Sequence, residues 1–526
     1  MIVSIFNQLK RKPTLYFLLM ISILSSVLGV FVPFINGSFV DVLISAESTK
    51  SIVLWATLLL LIGITNIIVS YAYNVAAKKF TNKISTQLIQ KTINHVWHLS
   101  YTEILKYNLA YLMQRIYTDS NIIITFFMDN FFALIINAFT VMALIVILWE
   151  INKYYLLISV IFTIFYAIAF IVIKKNLSEK ALKCKNSSNV FYSVLNTQLS
   201  NFEDIKIEVS FETGNKIIKN SFNKYWKDLV SFLKISQKTN SIDGIISLCF
   251  QVTSFLIGGF QVITGSMTIG EYTIVNSYFT IMLSCIKYYF NFAKSYQETK
   301  VSYKRLDEIF STPTQNYYLI ENNIEKVNTI QLKGVCFKYA DKLIIDNIDS
   351  VIDKGDIVSI VGKNGTGKST LLKILIGLLE LDSGEILIDN ISYKELNWND
   401  FRSNTVAVAT QTLACEQVMV SEFVANLDIK KLNKYFKLVF NDEHFIDNNL
   451  TKSFQDLSCG EKSKLLVVRA LSKETPIILF DEPTANMDFQ SSKLFVDFLL
   501  DLNQKIVICS THDEKIIEVS TKKILL

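Results

Sequence analysis

The sequence predicts a two-part fold: an all-α domain of six membrane spans, then an α/β domain built around a phosphate-binding loop. Two observations carry this prediction. Residues 13–40, 51–77, 131–149, 154–173 and 244–270 contain no Asp, Glu, Lys or Arg, and each is long enough to cross about 30 Å of hydrocarbon as a helix. After Pro313 no such stretch recurs. There the run Gly362-Lys363-Asn364-Gly365-Thr366-Gly367-Lys368-Ser369-Thr370 follows an apolar strand-like segment, Ile357–Val361, and precedes a helix-like one from Leu371 to Leu379. A Gly-x-x-x-x-Gly-Lys-Ser/Thr loop between strand and helix wraps backbone N–H groups around phosphates, and the helix N-terminus adds partial positive charge.

Bulk properties agree with a hybrid. At 526 residues the chain exceeds one core. Hydrophobic residues make up 51% and charged residues 19%, less extreme than in a wholly embedded protein. Residues 1–10 suit a short amphipathic helix in the membrane interface. The first span is too long for a secretory signal and lacks a small-residue cleavage pattern, and Pro33 is expected to kink it. A sixth span, 272–293, is weaker because Lys287 interrupts it. The 78–120 and 174–240 segments alternate charged and apolar residues at helical spacing, so the spans are expected to continue beyond the membrane as helices.

Loop charge sets the orientation. The N-terminus and the two long segments hold about twenty-one Lys and Arg, whereas the short connections on the other side hold Lys50 and Lys153. The basic side is therefore cytoplasmic, and an even number of spans leaves the α/β domain there too. Expected boundaries are 1–312 for the membrane domain, 313–328 for a linker and 329–526 for the second domain. The seven cysteines, at 184, 249, 285, 336, 415, 459 and 509, include no C-x-x-C pair, which argues against a disulfide framework or zinc site. A net charge of +5 is accounted for by the cytoplasmic segments, so no nucleic-acid partner is expected.

Further residues complete a nucleotide site. Pro476-Ile477-Ile478-Leu479-Phe480-Asp481-Glu482 is a buried-strand run ending in two carboxylates. Asp481 suits Mg²⁺ coordination, with Ser369 supplying a hydroxyl, and Glu482 suits a general base acting on water. Leu457-Ser458-Cys459-Gly460-Glu461 opens a helix, Lys462–Leu471, and makes a second anion site. Two helix ends of this kind serve one nucleotide most readily when two chains face each other head to tail.

In this order and spacing the residues resemble the ATP-binding cassette (ABC) transporter family. Leu457–Glu461 stands where that family has its Leu-Ser-Gly-Gly-Gln signature, which implies phosphate contacts for Ser458 and Gly460. Gln411, after the strand 405–409, matches the glutamine that senses the γ-phosphate and Mg²⁺. Ala485-Asn486-Met487-Asp488 looks like the loop that crosses the dimer interface, His512 matches the switch histidine, and Tyr339 stands where an aromatic ring stacks on adenine.

The resemblance thus implies ATP and Mg²⁺. Glu482, His512, Gln411 and Lys368 would be catalytic, and Tyr339, residues 364–370, Ser458, Gly460 and Asp488 would hold the nucleotide. Ser369, Gln411 and Asp481 would hold the metal. In the first half, Leu112–Asp119 and Arg305–Phe310 are similar to exporter motifs, and six spans before one cassette match the half-transporter layout.

That layout implies a dimer, of two copies of the chain in the first place and with a different half-transporter as the alternative, with coupling helices near 112–120 and 203–214, exporting a peptide, lipid or drug-like amphipathic substrate across a bacterial plasma membrane. Import of a metal chelate, or a slow-ATPase gate, are the alternatives. Cys459, Glu461, Ser463 and Lys464 depart from the signature pattern and imply slower hydrolysis. Leader-cleaving exporters carry an extra N-terminal peptidase domain, which a first span near Pro13 is expected to leave no room for. His95 with His98 reads as a packed or solvated pair, Asp129 as a membrane-edge charge, and Lys287 as a substrate-facing or snorkelling charge.

Overall fold

A computed structural model describes residues 13–45, 48–107, 112–314, 326–339, 342–410 and 418–526. The amphipathic helix expected at 1–10, Gln411, Cys415 and most of the linker expected at 313–328 lie outside the described residues. The chain divides into two compact units, 1–94 with 109–311 and 95–108 with 312–526. Residues 95–108 thus lie with the second unit although they precede 312.

The first unit is built from long helices: α1 (Pro13–Ile44), α2 (Thr49–Trp97), α4 (Ser120–Ile151), α5 (Lys153–Ser200), α7 (Phe211–Ile263) and α8 (Ile269–Ser311). The short α3 (Tyr101–Leu105) and α6 (Phe202–Ile207) break the chain after α2 and α5. At 1.5 Å per residue, the 49 residues of α2 reach about 73 Å, more than twice the hydrocarbon thickness. Five helical stretches are long and apolar enough to cross a membrane, on α1, α2, Gln114–Ile151, Lys153–Ile173 and α7. The expected sixth span lies on α8, where tyrosines and Lys287 lower the hydropathy. Leu60, Ile67 and Ile68 of α2 are exposed, which suits a helix facing lipid.

Two apolar cores hold this unit. One gathers Leu18, Ile84, Phe132 and Leu306, the other Leu144, Tyr155, Phe250 and Tyr278. The buried tyrosines satisfy their hydroxyls, Tyr155 donating to the Ser254 carbonyl at 2.8 Å and Tyr278 to that of Val30 at 3.1 Å. Where α1 meets the start of α8 the backbones touch: a Cβ on Gly37 would lie 2.5 Å from the Gly270 carbonyl oxygen. Asp41 caps α8 there, accepting from the Gly270 N–H at 2.7 Å and the Thr268 hydroxyl at 2.7 Å.

The two exporter-like motifs of the first half meet. Buried Arg115 reaches Glu308 at 3.0 Å and donates to the Arg305 carbonyl at 3.2 Å, while Ser302 donates to buried Asp119 at 2.7 Å. The separate coupling helix expected near 112–120 does not lie there. Gln114–Asp119 is a π-helical turn running directly into α4, and α8 anchors it through Arg115 and Asp119. The short separate helix of this segment falls earlier, at α3, which Ser100 caps by accepting from the Glu103 N–H.

The second unit contains two sheets. β1 (Thr329–Tyr339), β2 (Lys342–Asp353), β4 (Ser383–Ile388) and β5 (Ile391–Ser392) form an antiparallel sheet in the order β2-β1-β4-β5. β3 (Ile357–Val361), β6 (Val406–Ala409), β7 (Ile477–Asp481), β8 (Ile506–Ser510) and β9 (Lys522–Leu525) form a parallel sheet in the order β6-β7-β8-β3-β9. Strand side chains alternate faces, so Ile478, Phe480, Val507 and Cys509 enter one core. Ile477, Leu479, Ile506 and Ile508 enter the other, shared with the antiparallel sheet. Both faces are covered, which is why these strands read as continuous apolar runs. The helices α9 (Lys368–Leu375), α10 (Cys459–Ser472), α11 (Phe489–Leu499) and α12 (Glu514–Val519) follow the segments flagged in the sequence.

Candidate nucleotide site

The site gathers at the C-terminal ends of the parallel strands, where open α/β sheets place their ligands. The loop after β3 closes at Gly367, whose φ of 110° is a left-handed conformation that favours glycine, and α9 begins at the next residue. Lys368 is buried, with its ammonium 2.9 Å from the Gly362 carbonyl, 3.3 Å from that of Lys363 and 2.6 Å from His512 Nε2. Asn364 Oδ1 lies 2.9 Å from the same nitrogen. Gly365 has φ 83°, and the Thr366 hydroxyl donates to Lys363 at 2.9 Å. Thr370 lies in the first turn of α9.

The two carboxylates after β7 part company. Asp481 ends the strand and accepts from Ser369 at 3.1 Å. Glu482 turns away with φ 49°, a left-handed conformation that costs about 1–3 kcal/mol in a non-glycine residue. Its N–H donates to the Ser510 carbonyl at 2.9 Å, and its carboxylate stands 3.8 Å from His512 Nε2 and 4.0 Å from the Lys368 ammonium. Ser369 and Asp481 offer the hard oxygen donors that Mg²⁺ prefers, so the donor set fits that ion.

Strand order adds a residue missed in the sequence. β8 lies between β7 and β3, and Ser510 pairs with Asp481 on one side and Ile360 on the other. Its fully buried hydroxyl donates to Asp481 Oδ1, the oxygen that also accepts from Ser369. We expect Ser510→Ala to cut ATP turnover about fivefold to tenfold, the value of one hydrogen bond of about 1–1.4 kcal/mol. Its demand for Mg²⁺ should rise with it. A Mg²⁺ titration of turnover that matches the parent protein would remove this role.

The signature segment caps its own helix. Ser458 is the N-cap of α10 and forms a reciprocal capping box with Glu461: the Ser458 N–H donates to Glu461 Oε2 at 2.8 Å, and the Glu461 N–H donates to Ser458 Oγ at 3.2 Å. Hydrogen bonds from Ser458 hold the Glu461 carboxyl below its ordinary range. Glutamate in the signature is therefore a helix-capping residue. Cys459 is exposed at the tip, and Gly460 lies against the Asn486 carbonyl.

Asp488 caps α11, accepting from the Ser491 N–H at 2.8 Å and its hydroxyl at 2.6 Å, with Lys464 at 3.4 Å. The Ser491 contacts hold its carboxyl far below the usual range, so Asp488 is already engaged within its own chain. Tyr339 ends β1, edge-on to Phe337, with its ring partly exposed. Its sheet approaches the phosphate loop through Ile344 of β2, whose side chain lies where a Cβ on Gly367 would point.

Comparison with known proteins decides the family. The family described as ABC transporter transmembrane region matches residues 15–286, over half the chain, and the family described as ABC transporter matches residues 345–485. The chain belongs to the ABC transporter family. It is an ATP hydrolase coupled to transport and a multi-pass membrane protein. The transport/processing ATP-binding protein ComA of Streptococcus pneumoniae serotype 4 is 19% identical over 98% of this chain and 74% of its own length. The mesentericin-Y105 transport/processing ATP-binding protein MesD of Leuconostoc mesenteroides is 21% identical over 85% of this chain and 63% of its own. The solved structure of a bacterial Atm1-family ABC exporter with ATP bound shares the fold, with a TM-score of 0.81 at 17% identity, covering 98% of this chain and 93% of that one.

Proposed function

We propose that this transporter exports an amphipathic, peptide-like substrate, works as a homodimer and turns over ATP with Mg²⁺. The observation that carries the reading is the convergence of Lys368, His512 and Glu482 within 4.0 Å of one another beside the phosphate loop. In this reading Lys368 and Asn364–Thr370 hold the phosphates, Tyr339 stacks on adenine, and Ser369, Asp481 and Gln411 hold Mg²⁺. Glu482 takes the proton of the attacking water, and His512, paired with Lys368, senses the γ-phosphate. Mg²⁺ supplies charge neutralisation on the phosphate oxygens.

Among the described contacts, Ser458 bonds with Glu461 and not with the phosphate loop. In the proposed dimer the signature of one chain serves the loop of the other, with Ser458 and Gly460 on the second chain's nucleotide and Asp488 holding the interface loop in shape. The relatives named for transport with processing favour a peptide-like substrate. The proposed boundaries are 1–312, 313–328 and 329–526, with the N-terminus and cassette cytoplasmic in a bacterial inner membrane. Reconstituted in liposomes, the protein should show ATP hydrolysis stimulated by members of an amphipathic peptide panel more than by lipids or drugs. Stimulating peptides should also accumulate in inside-out vesicles. Stimulation by drugs or lipids alone would overturn the substrate class, and accumulation only in right-side-out vesicles would overturn the direction.

A further inference from the structure

A lysine stands inside the sixth expected span, and its surroundings are aromatic. Lys287 of α8 is half-buried, with its ammonium 5.8 Å from the centre of the Tyr166 ring of α5, within cation–π range. Tyr166 itself is buried. Phe290, one turn along α8, stacks on Phe170 of α5 with 4.0 Å between ring centres and tilts toward Tyr166 at 6.3 Å. Tyr288 and Tyr289 face α4 instead, their hydroxyls donating to the Asn130 side chain at 3.0 Å and the Leu134 carbonyl at 3.0 Å. Neighbouring residues of α8 thus serve two different helices, and the ammonium belongs to the α5 side.

Depth separates two roles for such a charge. The turns before α5 and α8 lie at one end of the bundle, because the Asn152 side chain at the start of α5 donates to Gln261 near the end of α7 at 2.8 Å. From that end Lys287 is eighteen residues along α8, about 27 Å, and Tyr166 is thirteen residues along α5, about 20 Å. The hydrocarbon is about 30 Å thick, so the boundary nearer to Lys287 is the opposite one. Cα–Cβ bonds tilt toward a helix N-terminus, so the side chain leans back into the span, where the ring lies. A lysine snorkelling to the nearer boundary would lean the other way. A charge held inside a membrane bundle is costly and marks a substrate path.

We infer that Lys287 is a specificity-determining residue whose ammonium binds the C-terminal carboxylate of the transported peptide. The rings of Tyr166, Phe170 and Phe290 receive the apolar side chain next to that carboxylate. This deepens the proposed export of an amphipathic, peptide-like substrate and rests on that reading. An ammonium carries three donors and is attracted to an aromatic face without being neutralised by it, so it can hold a carboxylate and keep the ring. A peptide that ends in an apolar residue offers both groups side by side. An anionic lipid offers a phosphate beside an acyl chain by the same chemistry, and the two sources are separable.

The test uses the full chain in liposomes and pairs of peptides that stimulate its ATP hydrolysis. The members of a pair end in Phe and differ only in a free or an amidated C-terminus. The parent protein should need about tenfold less acid than amide for half-maximal stimulation, the worth of one charge-assisted hydrogen bond. In Lys287→Met and Lys287→Gln that ratio should fall to about one, whereas Lys287→Arg keeps the cation and should retain a ratio of at least about three. Because each ratio is taken within one preparation, it does not depend on how much of that preparation is folded. The parent ratio should hold in phosphatidylcholine alone and with phosphatidylglycerol added.

A parent protein that takes acid and amide alike would overturn the inference, and so would neutral variants that keep the parent ratio. Parent hydrolysis that rises with phosphatidylglycerol, falls back in Lys287→Met and shows no acid–amide ratio would also overturn it, by assigning the ammonium to a lipid headgroup. Peptides that stimulate nothing in the parent would instead sink the peptide-like reading of the substrate, and this inference with it.

Discussion

Glu482→Gln should bind ATP within about threefold of the parent and lose at least about a hundredfold in hydrolysis, the low end of what a positioned general base supplies. The substitution keeps the shape of the side chain and its amide can still accept a hydrogen bond, but it takes up no proton at neutral pH. Position 482 also holds a left-handed backbone, φ 49°. Glutamine meets the same steric cost there as glutamate, so the turn that separates residue 482 from Asp481 survives. Phosphate release and titration with a fluorescent ATP analogue, on the same preparation, check both halves. Undiminished hydrolysis would remove Glu482 as the base. Hydrolysis and binding lost together would mean that the turn, not the proton, had been broken.

Lys368→Met should lower ATP affinity about 10- to 100-fold, since hydrogen bonds to a charged group contribute roughly 1.5–3 kcal/mol. Thermal stability without nucleotide should hardly change. Lys368 is 6% exposed, and its ammonium is held by two loop carbonyls and His512. Methionine keeps most of the stem and removes a buried charge, so the loss of its bonds is offset by relief of desolvation. A parent-like Tm together with weak ATP binding is the expected pair. A Tm that falls steeply would mean that the ammonium mainly holds the empty loop together, and unchanged affinity would take Lys368 out of the phosphate site.

What could be read from the sequence follows from range. The phosphate loop and the run ending in Asp481-Glu482 are contiguous motifs, so their residues and flanking elements were visible one by one, and His512 was picked out by its resemblance to the family's switch histidine. Their meeting was implied only by family resemblance. Ser510 was passed over because its role comes from the order β7-β8-β3, and nothing in the local pattern states which strand lies between two others. The antiparallel sheet was not foreseen either, since β1 pairs with β2 and β4 through register shifts that blur the alternation of apolar residues.

In the first half, Arg115 and Glu308 were noticed separately, and only the packing of α8 against α4 makes them partners. The coupling helix expected near 112–120 was misplaced by about ten residues because a charged, amphipathic stretch reads the same on either side of a cap. Glu461 looked like an impaired signature and proves to be the reciprocal half of a capping box. A substitution can weaken a family pattern while satisfying a local rule that the pattern conceals.

The placement of β8 between β7 and β3 also bears on the order of synthesis. A ribosome stalled after Lys505 has already made every membrane helix, the phosphate loop and both carboxylates. Without β8, however, β7 and β3 have no common neighbour. Asp481 lacks the Ser510 hydroxyl, and Glu482 lacks the carbonyl that fixes its turn. Parallel pairing of distant segments is slow and late in folding. A nascent chain paused there should therefore hydrolyse little ATP, and turnover should begin only once β8 is in place between β7 and β3.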